Sequence, residues 1–87
     1  MRVAIVRNLS TSGSAEDPFN EQIESVLKDI PSTWEQYPQD VAGKTAIINM
    51  EHNEFRTAST CAAKMHELIH LAAACRYLWE ELAHDDK

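Results

Sequence analysis

The longest uninterrupted segment of the chain constrains its fold more than any other sequence feature. From residue 53 to about residue 84 the sequence contains neither Gly nor Pro, and Asn53 can cap a helix at the start of this segment. A continuous helix of about thirty residues is about 45 Å long. A compact chain of 87 residues has an expected diameter of only about 31 Å. The sequence therefore predicts a long C-terminal helix that either breaks or meets a partner.

Apolar side chains repeat regularly along this predicted helix. They alternate in steps of four and three over three heptads, and they are Cys61, Met65, Leu68, Ala72, Cys75, Trp79 and Leu82. This spacing is typical of a seam that packs a helix against another helix or a sheet. We expect the seam to cover the core of the chain or to join the long helices of a homodimer. The opposite face of the helix is then expected to point away from the core.

The first half of the chain contains the signals for a strand and a helix. Residues 3–6 are a short apolar run between two arginines, which is typical of a buried strand. Asp17 and Pro18 combine an N-cap acceptor with a proline suited to the first helical turn. An apolar stripe follows and Pro31 ends it, so this segment predicts one amphipathic helix.

A loop and a second strand are expected before the long helix. Residues 31–44 contain two prolines and a glycine, and we expect one helical turn there, with Trp34 and Tyr37 covering the core. Residues 45–50, Thr-Ala-Ile-Ile-Asn-Met, are interpreted as the second strand. The predicted fold class is α/β, a small single β-α-β-α domain over residues 1–87. It has two short parallel strands, one amphipathic helix and one long C-terminal helix. Two strands alone are marginal, so we expect dimerisation to complete the fold.

Charge and hydropathy exclude several classes of function. Fourteen acidic residues against eight basic ones give a net charge of -6, and no basic cluster is present to bind phosphates, which argues against nucleic acid as a ligand. No apolar stretch approaches the roughly 18 residues of a membrane span, and no signal peptide is recognisable, so we expect no membrane contact and a cytoplasmic location. Cys61 and Cys75 would lie about 21 Å apart on one helix, and we expect both to be reduced.

One string in the long helix has the residue types of a metal site. Residues 66–70, His-Glu-Leu-Ile-His, resemble the zincin metalloprotease signature, in which two His one turn apart bind zinc and the Glu is the general base. The resemblance covers five residues of 87. It implies zinc as cofactor, His66 and His70 as ligands and Glu67 as the catalytic residue of a minimal zinc-dependent hydrolase.

Two features of the sequence argue against that enzyme. Catalytic zinc takes three protein ligands, and no glycine after residue 43 turns the chain back to supply the third. A third ligand must therefore come from upstream, where the candidates are His52, Glu35 and Asp40. The two His also lie opposite the apolar seam, on a face that we expect to meet solvent.

We therefore expect first a small acidic, non-enzymatic binding protein: a regulator, inhibitor or accessory factor. It would act through protein contacts of the long C-terminal helix, and it would be a homodimer. The binding residues expected on the face opposite the seam are His66, His70, Tyr77, Glu80 and His84. The zinc hydrolase is the alternative. A second alternative is a binder of a small phosphorylated ligand at the Ser-rich loop, residues 10–14, although acidic residues follow that loop directly.

Overall fold

The computed structural model describes residues 17–85, which form helices and connecting loops. The elements are α1 (Pro18–Lys28), a 3-10 turn (Ser32–Gln36), α2 (Val41–Thr57) and α3 (Cys61–Asp85). Residues 17–85 contain no strand. The predicted α/β fold with two parallel strands is therefore wrong, and the chain is helical where it is described. The predicted first strand and the Ser-rich loop lie outside these residues.

Helix α1 begins and ends where its local signals place it. The Asp17 carboxylate caps the helix by accepting from the backbone N–H groups of Phe19 and Asn20. Pro18 occupies the first turn, where no N–H partner is needed. Ile23 is buried on the inner face of the helix, as the amphipathic pattern predicts. The predicted helical turn in the following loop is also confirmed, and its Trp34 is completely buried.

Helix α2 replaces the predicted second strand. Asp40 caps it, since its Oδ1 accepts from the backbone N–H of Gly43 at 2.8 Å. Residues 45–50 lie inside this helix. The buried positions of the helix, Gly43, Lys44, Ile47 and Glu51, are spaced for one helical face. A short apolar run has the same appearance in a buried strand and in a buried helix, and that ambiguity is why the strand prediction failed.

The predicted long helix is two helices joined by a sharp turn. Ala58 has an extended backbone after the last turn of α2, and Thr60 begins α3 by accepting from the N–H of Ala63 at 3.0 Å. The turn contains neither Gly nor Pro, so composition gave no warning of it. Lys64 near the start of α3 contacts the Phe55 carbonyl near the end of α2. Lys44 and Glu81 pair at the other ends of the two helices. Helices α2 and α3 are therefore antiparallel. No helix in residues 17–85 is long and apolar enough to cross a membrane.

The orientation of α3 is opposite to the predicted one. Its fully buried residues are Ala73 and Ala74, which pack in the core with Ile23, Trp34 and Ile47. The large members of the predicted core seam are exposed instead: Met65 by 62%, Leu68 by 41%, Trp79 by 66% and Leu82 by 47%. Two alanines allow close approach of the neighbouring segments, and Trp34 supplies the volume that they lack. We call the alanine-bearing side of α3 its inner face and the apolar seam its outer face.

Candidate metal centre

The helical hairpin brings three potential metal ligands together. Glu51 comes from α2, and Glu67 and His70 come from the inner side of α3 one turn apart. Their nearest ligand atoms all lie within 4.8 Å of one another. Ligands of one cation are up to about 4.4 Å apart when each metal–ligand bond is about 2.2 Å. Small side-chain rotations are therefore enough for the three groups to bind a single ion.

Glu51 is the central residue of this cluster. It is only 4% exposed, although it carries an acidic side chain. Trp34 Nε1 donates to its Oε2 at 2.7 Å, whereas its buried Oε1 accepts from no group among the described residues. A buried polar atom without a partner costs about 1–3 kcal/mol, and more when it is charged. A carboxylate placed in this way is suited to binding a cation.

His70 is oriented by the backbone of its own helix. Its Nδ1 lies 3.2 Å from the carbonyl oxygen of His66. A proton on Nδ1 donates to that oxygen, and in this tautomer Nε2 carries the free lone pair. Metal-binding histidines commonly hold their second ring nitrogen against a carbonyl or carboxylate group in the same manner. The backbone of α3 therefore prepares His70 to act as a ligand.

Glu54 adds a third carboxylate at the edge of the cluster. The pKa of Glu54 is raised, chiefly by partial burial of its carboxyl group. The negative charges of Glu51 and Glu67, and a hydrogen bond with Glu67, raise this pKa further. The charge of His70 lowers it. The surrounding cavity has a volume of about 160 Å³. Its lining residues are Pro31, Thr33, Glu51, Glu54, His66, Glu67 and His70, and they include no Lys or Arg. A cation therefore meets no competing positive side chain among the residues that line this cavity.

The residues of the His-Glu-Leu-Ile-His string, which resembles the zincin signature, have different surroundings in the structure. Glu67 and His70 belong to the ligand cluster, whereas His66 is exposed and lies at the rim of the cavity. The two imidazole rings are 4.5 Å apart and meet edge to face. In this arrangement Glu67 takes the position of a ligand, where the resemblance implies a general base. The potential ligand that lies beside them from upstream in the sequence is Glu51, which is none of the three expected candidates.

The other predicted binding residues lie further along α3 and differ in their burial. Tyr77 is half-buried, its ring lies 5.3 Å from that of Trp34, and its hydroxyl group contacts Gln39. Glu80 and His84 are exposed, and Glu80 pairs with Arg76. The expected binding face is thus partly covered at Tyr77 and exposed at Glu80 and His84, and its role in binding stays a prediction.

Sequence reasoning missed Glu51 and Glu54. A signal was present, because both helices carry a pair of ligand types at positions i and i+3: Glu51 and Glu54 on α2, and Glu67 and His70 on α3. Such pairs share a helical face. Their convergence depends on the turn between the helices, which contains neither Gly nor Pro.

Comparison with protein-family models, curated proteins and solved structures finds no match, so the site's geometry is the basis for assigning a function.

Proposed function

We propose that this protein binds one divalent metal ion between α2 and α3. Glu51, Glu67 and His70 are the ligands, and Glu54 is a third carboxylate that can join them as a fourth ligand. The observation that carries the proposal is the buried carboxylate of Glu51: its Oε1 has no partner among the described residues, and one of its oxygens lies within 4.8 Å of a ligand atom of Glu67 and of His70. A cation would satisfy this oxygen and offset the mutual repulsion of the three acids.

The ligand types favour a first-row transition metal. Carboxylates suit Mn²⁺ and Mg²⁺, while an imidazole shifts the preference toward Mn²⁺, Fe²⁺ or Zn²⁺. A Glu on one helix facing a Glu-x-x-His pair on another is a ligand arrangement with which helical bundles hold iron and manganese. We therefore name Mn²⁺ and Fe²⁺ as the preferred ions and Zn²⁺ as the main competitor.

The chemistry suited to such an ion is Lewis-acid catalysis. An ion held by Glu51, Glu67 and His70 would lower the pKa of a bound water and so would supply a nucleophile for attack on a substrate. The cavity beside the ligands reaches the loop at Pro31 and Thr33, which gives a substrate one side of approach. Metal-assisted hydrolysis is therefore the activity that we propose to test. The expectation of a non-enzymatic binding protein remains a prediction.

Metal titration of the untagged, chelator-free protein tests the binding proposal. Isothermal titration with Mn²⁺, Zn²⁺ and Mg²⁺, together with elemental analysis after dialysis, should give about one ion per chain. Glu51→Gln keeps the shape of the side chain and an acceptor for Trp34, and His70→Ala removes the imidazole. Each should weaken Mn²⁺ binding at least tenfold, since even changes to groups supporting a metal's ligands cost about 10–100-fold in affinity.

The matched controls are Glu80→Gln and His84→Ala, which remove the same groups from exposed positions of α3 outside the cluster. Both should bind Mn²⁺ as the unchanged protein does. Equal weakening by the controls, or an unchanged protein that binds none of the three ions, would refute the proposal. A panel of phosphate and carboxylate esters then tests hydrolysis in the Mn²⁺-loaded protein, and retention of activity in Glu51→Gln would exclude this centre as its source.

A further inference from the structure

The outer face of α3 is an apolar strip that the described residues cover only in part. We call its seven members the outer seam: Cys61, Met65, Leu68, Ala72, Cys75, Trp79 and Leu82. Four of them are large side chains exposed by 41–66%. Phe19 of α1, itself 47% exposed, lines an apolar cavity of about 460 Å³ together with Met65 and Leu68. The strip thus extends from α3 onto the start of α1.

The exposed apolar area is large for a chain of this size. A large side chain carries about 150–250 Å² of surface, so five of them exposed by 41–66% present on the order of 500 Å². This value is near the upper end of what monomers expose. Two copies brought together would bury on the order of 1,000 Å² of apolar surface before the flanking residues are counted, which reaches the range of a specific interface.

The outer seam is also self-complementary, so it can pair with the same seam of a second copy. In an antiparallel pair of helices, positions whose residue numbers add to 147 face each other when the two-fold axis passes between residues 73 and 74. Trp79 then meets Leu68 of the other copy, Met65 meets Leu82, and Ala72 meets Cys75. Six of the seven seam residues are paired in this register, and the axis lies at the middle of the 25-residue helix. The two small residues come together at the centre, where close approach of the helix axes requires them.

We propose that two copies of this chain form an antiparallel dimer through the outer seam in this register. The seam contains no Asp, Glu, Lys, Arg or His, so a chain with a net charge of -6 can meet its copy along a strip without formal charges. Antiparallel packing also places the oppositely charged ends of the two helix dipoles side by side. The contact is isologous and closed, so it ends at two copies.

The dimer is independent of the metal centre. Glu67 and His70 lie on the inner side of α3 and the seam on its outer side, so loss of the dimer leaves the ligands in place. Analytical ultracentrifugation of the full chain should give twice the 9.8 kDa mass of one chain. The double variant Leu68→Glu, Trp79→Glu should weaken dimerisation about thirtyfold or more, because it removes two central contacts and introduces like charges. Its circular dichroism and Mn²⁺ titration should be unchanged, and the exposed control Asn53→Glu should remain dimeric.

Oxidative cross-linking tests the register. With Cys75 changed to Ser, the remaining Cys61 should not link two chains in the antiparallel dimer, because its two copies would lie about 37 Å apart along the helix axis, whereas in a parallel pair it would face its own copy. In a second variant, with Cys61 changed to Ser, Ala72→Cys places a thiol opposite Cys75 of the other copy, and a disulfide-linked dimer should appear on a non-reducing gel. A full chain that is monomeric at all accessible concentrations would overturn the proposal, and this includes the outcome in which another part of the same chain occupies the seam. Cross-linking through Cys61 alone would overturn the antiparallel register.

Discussion

The inner and outer faces of α3 differ in both composition and burial. The inner face is made of alanines, a histidine, a tyrosine and acids, and nearly all its polar groups are paired or gathered around one cavity. The outer face is made of large apolar side chains that touch no other described residue closely enough to be buried. Hydrophobicity alone would predict that the outer face is buried and the inner face exposed. Burial in this chain therefore follows the fit of small residues against Trp34, and the more hydrophobic face of α3 stays exposed among the described residues.

The two tryptophans allow the most direct test of this difference. Trp34 is fully buried and Trp79 is 66% exposed. Trp34→Ala should lower the free energy of unfolding by about 3–5 kcal/mol, because it opens a cavity in the core. Trp79→Ala should change the stability of the dissociated chain by less than about 0.5 kcal/mol. Urea unfolding at low protein concentration measures both effects.

A chain that loses Trp34 can fail to fold, so Trp34→Phe supplies a milder test. It keeps most of the aromatic volume and removes only the N–H that Glu51 accepts, which should cost about 1–3 kcal/mol. Equal effects for the changes at Trp34 and Trp79 would show that α3 is oriented differently in solution.

A mostly buried ion pair and an exposed ion pair of α3 should also differ in their effect on stability. Lys44 is 8% exposed, pairs with Glu81 at 2.8 Å and lies 4.0 Å above the ring of Tyr77. Lys44→Ala should destabilise the protein by about 1–3 kcal/mol, because it leaves a partly buried carboxylate without its partner. Arg76 pairs with Glu24 and Glu80 at exposed positions, where solvent screens the charges, and Arg76→Ala should therefore destabilise the protein less than Lys44→Ala does. Thermal unfolding ranks the two variants, and the reverse order would contradict the burial described for Lys44.

Gly43 tests how tightly the start of α2 packs against the preceding loop. A Cβ atom at this position would lie 1.9 Å from the carbonyl oxygen of Pro38. Ala is normally about 1 kcal/mol better than Gly inside a helix. Gly43→Ala should nevertheless destabilise by about 1–3 kcal/mol, because a backbone atom must move. The exposed neighbour Ala42 is the control, and Ala42→Gly should show only the ordinary helix-propensity cost. A stabilised Gly43→Ala protein would contradict the close contact.

The smallest expected effect is the pH dependence that Glu54 contributes. Its pKa is raised in the folded protein, chiefly by partial burial of the carboxyl group, so the folded state binds a proton that the unfolded state has already released. Stability of the metal-free protein should therefore decrease as the pH rises from the ordinary pKa of a Glu through the raised one. Glu54→Gln should flatten this part of the profile, and the exposed control Glu35→Gln should leave it unchanged. If stability instead increased with pH in that window, and Glu54→Gln removed the increase, the pKa of Glu54 would be lowered in the folded protein, which would contradict the prediction.

Local signals explain which parts of the fold could be predicted. Asp17 and Pro18 specify the start of α1 because a cap acts on backbone groups within three residues of itself. Residues 45–50 failed as a strand because their apolar run is compatible with either structure, and Asp40, the cap that decides for a helix, precedes the run by several residues. Of the candidate site, the α3 string was visible as Glu67 and His70. Glu51 was not, because its role depends on a turn at residues 58–60 that contains neither Gly nor Pro and whose only signals are Ser59 and the cap Thr60.

The sequence by itself determined that α3 has two unlike faces, because a helical period of 3.6 residues separates its apolar seam from its histidines. It also determined the cap and the stripe of α1. Only the tertiary structure decided which face of α3 points inward and which carboxylate of α2 meets Glu67 and His70. The physical reason is that burial depends on the surface offered by the opposing segment. The buried Trp34 and the antiparallel α2 fit closely against small residues, and they leave the large apolar ones outside.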